Sequence, residues 1–133
     1  MEERQLGILC MQETQRPGAD YFVTDEGYLV IQSGGPCGVR EWAGVDFMIL
    51  PDYRRSFIGC NQHTDRIVSL RLKVAGGQVA LITAYAPCGA HDFAARKSFY
   101  DSLNDHVRQL KCHGPKMMLG DFNARLYLQR GGE

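Results

Sequence analysis

Two β-rich runs, Ile67 to Val74 and Val79 to Tyr85, flank Gly76-Gly77 and constrain the fold of this chain more than any other stretch. Branched and aliphatic side chains suit a pleated, half-buried surface, and a glycine pair between two such runs signals a hairpin. In the first arm Val68, Leu70, Leu72 and Val74 share one face while Ser69, Arg71 and Lys73 take the other. That alternation is expected of a strand covered on one side. The second arm is apolar on both faces and is expected to lie deeper. Downstream, Asp92 can cap a helix in which Tyr100, Leu103, Val107 and Leu110 recur at three- and four-residue steps, with Gly114-Pro115 stopping it. Lys116-Met117-Met118-Leu119 then reads as a short buried strand.

Upstream, Tyr21 to Thr24 and Tyr28 to Gln32 flank Asp25-Glu26-Gly27, a second hairpin by turn chemistry. Gly34-Gly35-Pro36 ends it, and residues 44–50 form another short strand closed by Pro51. Strand, hairpin, helix and strand in this order define an α+β or α/β class.

A chain of 133 residues with 44% hydrophobic residues has the length and composition of one globular domain and excludes disorder by composition. Fifteen basic and fifteen acidic residues cancel, so no global field draws a polyanion and any nucleic-acid contact must be local. Arg54-Arg55, Arg66, Arg71, Lys73 and Arg125 are the candidates. For Arg71 and Lys73 a solvated strand face explains the charge as well. Five cysteines without paired spacing imply a reduced, intracellular compartment, nuclear or cytoplasmic. Cys88, His91, Cys112 and His113 offer four zinc donors, but the adjacent last pair suits one tetrahedron poorly. No apolar run is long enough to span a bilayer.

Three strand-like runs end abruptly in polar groups. The run from Gly7 ends in Gln12 and Glu13, the second arm of the central hairpin ends in Tyr85, and the run from Lys116 ends in Asp121 and Asn123. Ligands of open α/β sheets usually bind at such strand ends. Glu13 suits a hard cation such as Mg²⁺, which takes oxygen ligands and is commonly held by one or two carboxylates; it equally suits the first turn of a helix. Tyr85 can donate to a phosphate oxygen or serve as a core-edge aromatic, and Gly120-Asp121-Phe122-Asn123 can be a site or a turn.

Taken together, Gln12-Glu13-Thr14, Thr83-Ala84-Tyr85-Ala86-Pro87 and Gly120-Asp121-Phe122-Asn123-Ala124 resemble, in order and spacing, the endonuclease/exonuclease/phosphatase superfamily. Leu9 to Thr14, Arg66 to Leu72 and Asp121 to Arg125 look most like the apurinic/apyrimidinic-type endonuclease domains of non-LTR retrotransposons. The resemblance implies part of a four-layer, deoxyribonuclease-I-like α/β sandwich, here mainly one mixed sheet with a flanking helix. It implies a Mg²⁺- or Mn²⁺-dependent DNA endonuclease: Glu13 would ligate the metal, Tyr85 contact the scissile phosphate, Asp121 orient or deprotonate water, and Asn123 stabilise the phosphorane. Arg66 and Arg125 would contact DNA.

Two family segments are missing from 1–133, a first strand bearing an Asn and a C-terminal half bearing Ser-Asp-His, and Cys88 stands where the family has an amide. The chain is therefore expected to be a partial domain, inactive in isolation, with one sheet face uncovered and prone to self-association. A phosphatase or phospholipase of the same superfamily, or a non-catalytic relic acting as a binding module, are the alternatives.

Overall fold

The computed structural model describes residues 7–12, 18–34, 44–87 and 93–122. Eight strands form two four-stranded sheets. The first sheet has the order β1-β4-β3-β2, with β1 Ile8–Gln12, β2 Ala19–Val23, β3 Leu29–Ser33 and β4 Val45–Ile49, all antiparallel. The second has the order β5-β6-β7-β8, with β5 Phe57–Thr64, β6 Ile67–Val74, β7 Gly77–Tyr85 and β8 Lys116–Asp121. The strands β5, β6 and β7 run antiparallel, whereas β8 is parallel to β7. A parallel pair needs a long crossover, and the helix α1, Phe93–Gln109, lies within it.

The alternation in β6 sorts the two faces of the second sheet. Val68, Leu70 and Leu72 join Leu81 and Tyr85 of β7 against Leu29, Ile31, Val45, Phe47 and Ile49 of the first sheet. On the other face Ile67, Ile82, Ala84 and Ala86 pack under Phe99 and Leu103 of α1. The strand β7 is thus buried from Ala80 to Tyr85 on both sides, as its apolar pattern predicts. Burying an aliphatic or aromatic side chain of this kind contributes roughly 1.5–3 kcal/mol. Ser33 Oγ donates to the Thr64 carbonyl, and Gln62 Nε2 donates to the Asp20 carbonyl, so polar groups also tie the sheets together.

The α+β class holds, but three expectations are corrected. There are two sheets rather than mainly one, and the first covers the inner face of the second, so that face is not left wet. The strand β5 lies where no apolar alternation marks a strand in the sequence. Its polar side chains alternate imperfectly because register shifts fall between Phe57 and Gly59 and between Gln62 and Thr64. The run at Lys116 is a strand as expected, yet an exposed one, since among the described residues β8 pairs only with β7 and leaves Met117 and Met118 about half exposed. In α1 the buried stripe is Phe99, Leu103 and His106, while Tyr100 lies at the surface and its hydroxyl donates to the Phe122 carbonyl at 3.2 Å. Asp92, the expected cap, lies outside the described residues.

Candidate active site at the strand ends of the second sheet

The parallel register sets Tyr85 beside Asp121 at the C-terminal ends of β7 and β8. The Ala86 N–H donates to the Asp121 carbonyl at 2.8 Å, which carries the pairing to the last residue of β8. Paired residues of neighbouring strands point to the same side of a sheet. Asp121 therefore shares the inner face with Tyr85, Thr83 and Leu81 rather than the helix side. Gly120 makes this approach feasible. Its φ is +146°, and a Cβ there would come within 2.0 Å of the Ala84 carbonyl oxygen, so the backbone of β8 closes on β7 only with glycine at this position.

A third strand end joins these two from the first sheet. Gln12, the last residue of β1, donates from Nε2 to Thr83 Oγ1 at 3.0 Å. Thr83 is fully buried, and it stands two residues before Tyr85 on the same face. An apolar strand interrupted by one hydroxyl is the signal for this bridge, and reading Thr83 as part of an apolar run missed it. Glu13, the next residue in sequence, lies outside the described residues, as do Asn123 and Arg125.

Arg66 occupies the turn between β5 and β6 and is committed to Tyr85. Its Nη1 donates to the Tyr85 carbonyl at 3.1 Å, its own carbonyl accepts from the Tyr85 N–H at 2.9 Å, and its guanidinium carbon lies 5.2 Å from the centre of the Tyr85 ring. A cation over a phenol face is attracted by the ring quadrupole. Arg66 thus positions Tyr85, a role the sequence did not disclose.

Two histidines sit on the opposite side of the sheet. His106 is buried, shares a 2.8 Å hydrogen bond with Ser69 Oγ, and stacks on His63 with ring centres 4.7 Å apart. His63 in turn shares a 3.0 Å hydrogen bond with Ser102 Oγ. Burial, with His63 and Lys116 nearby, holds the His106 imidazole down at about 4, so it is neutral at physiological pH. Both rings serve the contact between α1 and the sheet. Burial also raises the Cys10 thiol to about 11, and Cys60 is shifted the same way, which leaves both as packing groups rather than nucleophiles.

Among the described residues no three His, Cys, Asp or Glu side chains cluster as a metal site. Asp121 is the described carboxylate at the strand ends. A hard cation that keeps most of its waters needs only one or two such oxygen donors.

This architecture is a deoxyribonuclease-I-like α/β fold. It is shared with the human Nocturnin catalytic domain, solved with a bound sulfate anion, at a TM-score of 0.58 and 18% identity over 92% of this chain and 53% of that one. By sequence the chain is similar to Craniofacial development protein 2 of Bos taurus, 26% identical, and of Tragulus javanicus, 25% identical. Each match covers 95% of this chain and 21% of the relative, so the chain spans about a fifth of their length. No family model matches.

Proposed function

We propose that the chain belongs to a metal-dependent phosphodiester hydrolase acting on DNA, an endonuclease domain of retrotransposon origin. The observation that carries this reading is the convergence of three strand ends: Gln12 tied to Thr83, and Tyr85 in register with Asp121. Tyr85 is 8% exposed and Asp121 is at the surface, so a phosphate reaching the strand ends would meet a phenol donor and a carboxylate together. Asp121 orients or deprotonates the attacking water, and Asn123 supplies a neutral donor where charge grows on the phosphate oxygens. Glu13 would hold Mg²⁺ or Mn²⁺, which supplies Lewis-acid stabilisation of that charge when bound. The sulfate in the Nocturnin catalytic domain has the tetrahedral geometry of a phosphate, and this supports a phosphate-directed site in the shared fold.

Substrate class is tested by offering the purified chain supercoiled plasmid and p-nitrophenyl phosphate in parallel, each with Mg²⁺ and with EDTA. The chain alone is expected to be inactive, because 1–133 lacks the Ser-Asp-His segment that the resemblance implies; in a chain extended by that segment, Mg²⁺-dependent nicking without phosphomonoester turnover is expected. Release of p-nitrophenol without nicking would place the site in the phosphatase branch. Plasmid retention on a gel without cleavage of either substrate would instead favour a binding module.

A further inference from the structure

We propose that a hollow on the outer face of the second sheet, remote in the fold from the strand-end site, binds a small phosphate monoester through Arg71 and Lys111. The hollow has a volume of about 240 Å³ and lies where β5 and β6 run beneath the end of α1. Its floor is the helix-side face of the sheet, with Asn61 opposite Ser69 and Gly59 opposite Arg71 in alternate register pairs. Its wall is the chain leaving the helix, with Gln109 and Lys111. Tyr85 and Thr83 face the other side of the same sheet, toward β1.

Four observations converge on an anion. Two of the lining residues are cations and none is Asp or Glu. Among the described residues neither the Arg71 guanidinium nor the Lys111 ammonium makes a hydrogen bond or ion pair, and the side-chain amides of Asn61 and Gln109 are likewise without partners, so four polar side chains around one hollow are unspent. Gly59 lets the Arg71 guanidinium lie flat across the neighbouring strand: a Cβ at Gly59 would stand 3.2 Å from Arg71 Nη2. At the base, Ser69 is fully buried and bonded to His106, which supplies a preformed polar floor.

Guanidinium is suited to phosphate because its fork presents parallel donors to two oxygens, and a lysine adds a mobile point charge. The volume lies below the roughly 300–1,000 Å³ of pockets for drug-sized ligands, which suits a phosphate group on a small alcohol or a mononucleotide rather than a polymer segment. Asn61 and Gln109 can each donate an amide N–H to the remaining oxygens or to the group the phosphate esterifies.

The test uses the chain in EDTA, so that no divalent metal bridges phosphate elsewhere, with the imidazole resonances of His106 and His63 followed by NMR. Inorganic phosphate, adenosine 5′-monophosphate and adenosine are the probes. Saturable movement of the His106 signals with both phosphate probes, and none with adenosine, is expected. Arg71→Gln and Lys111→Gln should each weaken the binding by about tenfold, the usual scale for losing one charged donor to an anion, while Asp121→Asn binds as the unsubstituted chain does. Lys111 is exposed beyond the helix, so its variant keeps the fold. Unmoved His106 signals at saturating phosphate would overturn the proposal, as would unchanged affinity in both cation variants, or loss of binding in Asp121→Asn.

Discussion

On its inner face the second sheet meets the first through Val68, Leu70, Leu72 and Leu81 against Ile31, Phe47 and Ile49, an interface of aliphatic and aromatic side chains. On its outer face Ile67, Ile82 and Ala84 share α1 with Ser69 and His106, and the cover stops short, leaving a polar hollow. The inner face therefore acts as a stiff frame whose strand ends hold Tyr85, Thr83 and Asp121 in register. The outer face carries titratable and hydrogen-bonded groups at the centre of its contact. Packing density resists change on one side, and proton uptake governs the other.

The comparison is broken most severely by opening the inner face. Phe47 is fully buried between the sheets, and Phe47→Ala is expected to cost about 3–5 kcal/mol, read as a lower denaturant midpoint. Gly120→Ala comes next. Forcing a Cβ toward the Ala84 carbonyl at a φ of +146° should cost roughly 2–3 kcal/mol and separate β8 from β7, so that stability and any nicking fall together.

The outer face should respond instead to pH. The His106 pKa in the folded chain is lowered to about 4 from 6.5. Above about pH 6.5 both states hold the ring neutral. Below that the unfolded chain takes up a proton that the folded chain refuses until about pH 4, so stability falls as pH drops through this window, by on the order of 2 kcal/mol. Urea unfolding at pH 7 and pH 4.5 measures this, and His106→Gln should shrink the difference. A stability unchanged between the two pH values would show that the His106–Ser69 contact is not buried in solution.

The smallest effect on stability is expected at the exposed edge. Met117, Met118 and Leu119 of β8 are 51%, 52% and 38% exposed, and an uncovered apolar edge invites pairing with another chain. Met118→Lys should alter stability by less than about 0.5 kcal/mol yet reduce concentration-dependent self-association in sedimentation velocity.

Local pattern made much of this fold legible. Both hairpins, the strand ended by Pro51, the helix and the strand at Lys116 follow from alternation, turn residues and stops. What escaped depends on partners distant in sequence. The strand β5 has little apolar signal because it is an edge strand with two register shifts, held by pairing with β6. His106 took a core position that apolar periodicity cannot mark, because Ser69 supplies its hydrogen bond from another element. The first sheet also takes in β1 beside β4, a pairing of residues 33–41 apart that no local window reveals. For the site, Tyr85 and Asp121 were legible as strand-end polar groups, but their adjacency comes from the parallel register across the α1 crossover. The bonds from Gln12 to Thr83 and from Arg66 to Tyr85 were visible only in three dimensions.

We propose the paired ends of β7 and β8 as a phosphodiester-cleaving site. The most direct measurement is the Mg²⁺-dependent rate of plasmid nicking by the chain extended with the Ser-Asp-His segment and by its Asp121→Asn variant, compared at equal folded fraction by circular dichroism. Nicking that EDTA abolishes and that Asp121→Asn slows by roughly 10²–10⁴-fold is predicted, the scale of losing a positioned acid–base group. Nicking at an unchanged rate in Asp121→Asn would contradict the account.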